Sequence, residues 1–159
     1  MTSVWVFLAQ YLVALSGLLA LATFFLIEPG YRKPLIMRGL IILVVAIVLA
    51  KGGGRLIDDP RPFVTLHQPP LIPHEPDNGF PSDHTLLAAS LAFLILPFRR
   101  DLGIAALVTA LLVAVGRVET LLHSPLDVAA SFLMALVALG VATACVRLEP
   151  TSATVADEG

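Results

Sequence analysis

The chain has 159 residues, 57% of them hydrophobic and 14% charged, whereas a soluble domain is about half apolar and a quarter charged. That balance excludes an ordinary soluble enzyme, leaves no room for a second soluble domain, and makes a bilayer the expected solvent. A formal net charge of −2 excludes a general pull on nucleic acid, so any anion must be held by locally placed cations.

Five apolar segments follow in chain order: Val4 to Ile27, Pro34 to Ala50, Thr85 to Phe98, Leu102 to Val115, and Pro125 to Val146. The first and last are long enough to span unaided, since a transmembrane helix needs about 17 to 25 residues. The third and fourth are short and must borrow residues from their polar ends, which a bilayer tolerates only around a hydrated pocket. No basic residue precedes Val4 and the run exceeds a typical signal-peptide core, so the first segment is expected to stay as a helix. Cys145 is the lone cysteine and allows no internal disulfide. The expected fold is an all-α integral membrane bundle of about five transmembrane helices. Residues 1–150 would form one domain, and residues 151–159 a short, fraying tail.

The ten Lys and Arg residues divide by connection. If the segments alternate, Arg32, Lys33, Arg38, Arg99, Arg100 and Arg147 share one end, and Lys51, Arg55, Arg61 and Arg117 the other. The positive-inside rule puts the larger group in the cytoplasm and the second group on the extracytoplasmic side of a plasma membrane. The stretch from Lys51 to Asp83 holds seven of the twelve prolines. It reads as a long extracytoplasmic loop between the second and third helices, and loops of that length are usually functional or disordered.

Three polar clusters carry the chemistry: Lys51 to Arg55 through Asp59-Pro60-Arg61-Pro62; Asp77 through Pro81-Ser82-Asp83-His84; and Gly116-Arg117 through His123 to Asp127. Arginine offers a rigid fork of donors that matches phosphate oxygens, so Arg61 and Arg117 suit an anion clamp. Ser82 is placed to begin the third helix and either caps it or adds a hydroxyl to the phosphate; both readings need the same local geometry. His123 is the candidate nucleophile and His84 the acid-base group. Asp127 either orients His123 or caps the fifth helix in the Ser124-Pro125-Leu126-Asp127 box, and the two roles are compatible.

In this order and spacing the clusters resemble the type 2 phosphatidic acid phosphatase superfamily. Its motifs are a lysine, six residues and Arg-Pro; Pro-Ser-Gly-His; and Ser-Arg, five residues, His, three residues, Asp. The resemblance implies a metal-independent lipid phosphatase with no cofactor, working through a phosphohistidine on His123. Three positions depart from the pattern. Gly54 stands where the motif has lysine, leaving Lys51 or Arg55 to supply the cation, and these two are i,i+4 partners if the helix continues. Asp83 replaces the glycine, a variant associated with bacterial undecaprenyl diphosphate phosphatases. Gly116 replaces the serine and removes one hydroxyl donor.

The expected substrate is accordingly a membrane-borne phosphorylated lipid, undecaprenyl or another polyprenyl diphosphate, hydrolysed to the monophosphate. Phosphatidic acid or phosphatidylglycerophosphate is the nearest enzymatic rival, and a non-catalytic lipid-binding or translocating protein the rival of another class. Vanadium haloperoxidases share the superfamily but are soluble. His67 and His74 match no zinc spacing, so no metal is expected there. His74, Asp77 and Asn78 remain plausible headgroup contacts. The Gly52-Gly53-Gly54 run lacks the Lys-Ser or Lys-Thr of a nucleotide loop and is expected to end the second helix.

Overall fold

The computed structural model describes residues 2–150. The expectations for the tail at 151–159 therefore lie outside the described residues. Among those described, the chain is all-helical, without strands: α1 (Thr2–Gln10), α2 (Val13–Leu26), α3 (Pro29–Leu56), α4 (Pro62–Thr65), α5 (Asp83–Ile95), α6 (Arg100–Glu119) and α7 (Pro125–Cys145). Three helices, α3, α6 and α7, are long and apolar enough to cross a membrane, and a fourth span is obtained if α1 and α2 count as one.

The first apolar segment is not the single straight helix its composition suggests. It bends by 46° between α1 and α2. At the bend Leu12 N reaches back five residues to Phe7 O (3.3 Å), and Ala14 and Leu15 form bonds to the third residue back. The ladder thus passes through one wide turn and one tight turn, a recognised cause of a sharp kink. The bend lets α1 lie against α6 while α2 packs on α5 and α6.

The glycine run does not end the second apolar helix; α3 continues through it to Leu56. Gly54 has a different use. A Cβ there would come within 3.0 Å of Phe80 O, so its absence lets the incoming loop lie directly on the helix. The fourth apolar segment is longer than its apolar core, because Arg100-Asp101 and Gly116 to Glu119 join α6 and bring it to 20 residues.

Only 13 residues long, α5 covers about 20 Å, short of the roughly 30 Å of a hydrocarbon core. It packs against α2, α3, α6 and α7, and eight of its residues are buried. A helix that is apolar all round belongs in the interior, and the other helices surround this one. Its N-terminus therefore opens into the bundle at the level where α3 and α6 end and α7 begins.

At the other end, Leu26, Tyr31, Phe98 and Arg99 border one depression. Arg38 there donates to Val146 O from Nη2 (2.8 Å) and Nε (3.1 Å), satisfying a carbonyl at the C-terminus of α7. The two groups of basic residues thus lie at opposite ends of the bundle.

Candidate active site

Between α6 and α7 the chain reverses within a few residues. Leu121 adopts the left-handed conformation (φ 60°), which costs a non-glycine residue about 1–2 kcal/mol. The N–H groups of Leu122 and His123 both return to Arg117 O, each at 3.2 Å. The six-residue interval between Arg117 and His123 is therefore one turn folded on itself, bringing both side chains to the same wall.

His123 is only 3% exposed. Its Nδ1 lies 2.8 Å from Gly79 O, and a carbonyl can only accept, so Nδ1 carries the proton. Nε2 is then unprotonated. Arg117 Nη2 donates to it at 3.0 Å and Arg61 Nη1 at 3.3 Å. Burial lowers the pKa of His123 most, Asp127 opposes that shift, and the guanidiniums of Arg117 and Arg61 add to it; the net direction is downward. At neutral pH the ring is uncharged.

Asp127 closes the cap of α7 and lies beside the ring of His123. Its Oδ2 accepts from Ser124 N (2.8 Å) and its N–H donates to Ser124 Oγ (3.2 Å), closing the capping box of α7. The same Oδ2 is 3.5 Å from His123 Nδ1, too far for a good hydrogen bond but close enough to favour positive charge on the ring. The direct orienting acceptor is the Gly79 carbonyl.

Arg61 is 6% exposed and held from several directions. Nε donates to Asp77 Oδ1 (2.6 Å) and Nη1 to Leu122 O (2.9 Å). The hydrogen bond from Arg61 holds the Asp77 carboxyl below its ordinary pKa. Asp77 thus aims the arginine, and it also lines the cavity.

A cavity of about 380 Å³ joins Arg61, Arg117, His84, His123, Lys51 and Arg55. The last two project from successive turns of α3, as the i,i+4 spacing requires. His74 and Asp83 also reach its wall. One expected contributor, Ser82, does not. Ser82 holds the N-cap position of α5 without a side-chain cap. Fully buried, it donates to Thr85 Oγ1 at 3.0 Å, behind the cavity wall. At Gly116 a Cβ would point at the backbone of α1, 2.6 Å from Ala9 N. The missing serine hydroxyl is therefore no gap in the cavity; the position belongs to the α1–α6 contact.

The supporting roles of three residues went unrecognised in the sequence. Gly79 acts through a backbone oxygen, which no side-chain motif reports. Asn78 uses its whole amide: Oδ1 accepts from Asp59 N (3.1 Å) and Phe80 N (2.9 Å), while Nδ2 donates to Gly54 O (2.9 Å) and Ile57 O (2.7 Å). It fastens the loop carrying Gly79 to the end of α3. Ser131, buried on α7, accepts from Ser82 N at 3.0 Å, and its one proton lies between Asp127 O (2.8 Å) and Ser82 O (3.0 Å), tying α7 to the start of α5. The Asx and Ser/Thr positions in the sequence were the available signal, but such residues bond locally as often as across a fold.

The profile of the PAP2 superfamily matches residues 34–150. The chain belongs to the PAP2 superfamily. It is similar to the bacitracin transport permease protein BcrC of Bacillus licheniformis, 40% identical over 129 residues, which cover 80% of this chain and 63% of that protein. It is also similar to the undecaprenyl-diphosphatase BcrC of Bacillus subtilis (strain 168), 30% identical over 135 residues, 85% of this chain and 69% of the relative. A third relative, the putative undecaprenyl-diphosphatase YbjG of Escherichia coli (strain K12), is 29% identical over 138 residues, 86% of this chain and 69% of its own. The chain thus spans just under two thirds of the B. licheniformis protein and slightly more of the other two. No solved structure matches it. The family match runs from Pro34, in the second turn of α3, past the end of α7 and includes every residue that lines the cavity.

Proposed function

We propose that this PAP2 protein is a lipid phosphatase that hydrolyses polyprenyl diphosphate, undecaprenyl diphosphate in the first instance, to the monophosphate. The observation that carries the reading is His123 itself: a buried, uncharged imidazole with Nδ1 fixed by a carbonyl and Nε2 between two guanidiniums. Two relatives named for undecaprenyl-diphosphatase activity support the choice of lipid.

In the proposed reaction Nε2 of His123 attacks the outer phosphorus in line. The bond from that phosphorus to the bridging oxygen breaks, and the oxygen leaves with the lipid monophosphate, taking a proton from His84. Arg61 and Arg117 stabilise the charge on the equatorial oxygens of the transferring group. The imidazolium formed on attack is favoured by the Asp127 carboxylate and by the Gly79 carbonyl on Nδ1–H. In the second step His84 removes a proton from water, whose oxygen attacks phosphorus, and the N–P bond breaks to release inorganic phosphate and restore His123.

Residues 1–150 act as one membrane domain. The chain crosses five times if α1 with α2 forms one pass and the short α5 another, with a Pro-rich loop between α3 and α5. The larger basic group then lies in the cytoplasm with the tail at 151–159, and the cavity opens on the extracytoplasmic side of the plasma membrane.

The test is phosphate release by the purified protein in detergent from polyprenyl diphosphate, phosphatidic acid and phosphatidylglycerophosphate. Polyprenyl diphosphate should be turned over fastest, and His123→Ala should lower that rate by at least about 10³-fold while leaving the protein folded. Full activity in His123→Ala refutes the nucleophile; rapid release from phosphatidic acid with none from polyprenyl diphosphate refutes the substrate.

A further inference from the structure

An apolar groove of about 330 Å³ runs between α3 and α5, walled by Ile42, Ala46 and Ile47 on one side and Leu86, Leu87 and Leu91 on the other. It is continuous with the phosphate cavity, because Ala50, Lys51 and Asp83 line both. Its α3 wall runs from Lys51 back to Gly39, about 18 Å of helix at 1.5 Å per residue. Ser90 also lines it, and its buried hydroxyl has no hydrogen-bond partner among the described residues. A closed helix–helix contact would leave neither a channel of that length nor an orphaned hydroxyl on its wall.

The cations of the cavity fall into two groups. Arg61 and Arg117 contact His123, whereas Lys51 and Arg55 stand on α3, with Lys51 at the mouth of the groove. A lone phosphate clamped at His123 uses the first pair and leaves the second without a ligand. A diphosphate engages both.

We propose that the groove seats the first part of the polyprenyl chain, and that Lys51 at its mouth holds the phosphate that stays on the lipid while the outer phosphate meets His123. The inference rests on the phosphatase reading and adds the direction in which the substrate lies. From the apolar end outward the order is chain, retained phosphate, bridging oxygen, transferred phosphate, nucleophile. When the bridging bond breaks, the negative charge gained by the retained phosphate develops beside a lysine. The polarity also implies a preference for prenyl over small soluble diphosphates: the discriminating surface would be the wall of α3 and α5, away from the reacting atoms.

The experiment compares undecaprenyl diphosphate with isopentenyl diphosphate, whose short tail ends at the groove mouth, in the full chain and in groove variants. Ile47 and Leu87 are about half exposed on the groove wall, so Ile47→Trp and Leu87→Trp obstruct the channel without opening the core. A chain shut out of the groove loses its packing there, and the threshold set for the effect is a tenfold change in kcat/KM, about 1.4 kcal/mol. The long substrate should lose at least that much, chiefly through KM, while the short substrate is unaffected. Turnover of the short substrate reports folding in the same sample. Ile47→Asn, which adds no bulk but puts an amide in the path of the chain, carries the same expectation. Lys51→Gln should slow a prenyl diphosphate more than the corresponding monophosphate. Equal loss on long and short substrates, or no loss on either, in folded groove variants overturns the groove assignment, and equal effects on mono- and diphosphate overturn that of Lys51. Absence of phosphate release from both substrates by the unaltered protein sinks the phosphatase reading itself.

Discussion

Restoring the family serine at position 116 should damage this protein. A Cβ on Gly116 would lie 2.6 Å from Ala9 N and 2.9 Å from Leu8 C and Leu8 Cβ. Two of these are backbone atoms, which no rotamer change removes, so α1 must retreat by about 0.8 Å to reach ordinary contact near 3.4 Å. A gap of that size forfeits a quarter to a half of the dispersion between the affected atoms, and overpacking of this kind costs about 1–3 kcal/mol. Replacing a helical glycine returns about 0.5 kcal/mol of propensity, which does not offset the clash. Gly116→Ser is therefore expected to unfold at lower temperature in the same detergent, and to turn over substrate no faster than the parent. Gly140→Ala is the matched control: nothing lies within 4 Å of its added Cβ, so it should be neutral or stabilising by up to about 1 kcal/mol. A Gly116→Ser protein as stable as the parent and more active would refute the reasoning, because the added hydroxyl would then be serving the cavity.

The pH dependence follows from His123, which lies in the turn outside the spanning helices. With its folded pKa below the ordinary value of about 6.5, the acid limb of kcat/KM should lie below pH of about 6.5. Arg117→Ala removes one of the lowering causes and should move what activity remains toward a higher-pH limb; an unchanged or lower limb contradicts this. The unfolded chain takes up the proton first as pH falls, so stability is flat above about 6.5 and declines from there down to the folded pKa, measurable as a pH series of melting temperatures. Asn78→Ala breaks four hydrogen bonds at about 0.5–1.5 kcal/mol each. It should cost about 2–6 kcal/mol of stability and, by freeing the Gly79 carbonyl, lower kcat with a shifted pH profile; loss of stability with an unchanged profile would make Asn78 merely structural. Ser124→Ala should cost about 1 kcal/mol through the cap of α7 and leave the acid limb in place, because Asp127 remains beside the ring.

The chain's side-chain chemistry was legible because it is strongly patterned. Polar clusters between long apolar runs mark where helices end, and alternation of the runs brings Arg61, His84, Arg117 and His123 to one end of the bundle. The split of the basic residues could be read for the same reason. What could not be read depends on backbone placement. The break at Tyr11 and Leu12 carries no Pro or Gly, and what accompanies it is the approach of α1 to α6, a tertiary contact. The glycines at 52–54 read as a helix end because glycine is a poor helix former, yet packing holds the helix together and the loop needs Gly54 bare. Ser82 looked like a ligand from its place in the motif; Thr85, three residues on, captures its hydroxyl instead.

The tight reversal at Leu121 has a mechanical consequence. Arg117 and His123 are pinned through one carbonyl, so any tilt of α6 or sway of α7 carries both together, and their spacing is insulated from flexing of the bundle. Arg61, in the loop after α3, is tied to the same reversal through Leu122 O, whereas His84 stands on α5. Breathing among the helices must then alter the distance from His84 to this group while leaving the group itself rigid, so adjustment to guests of differing girth falls to the α5 side.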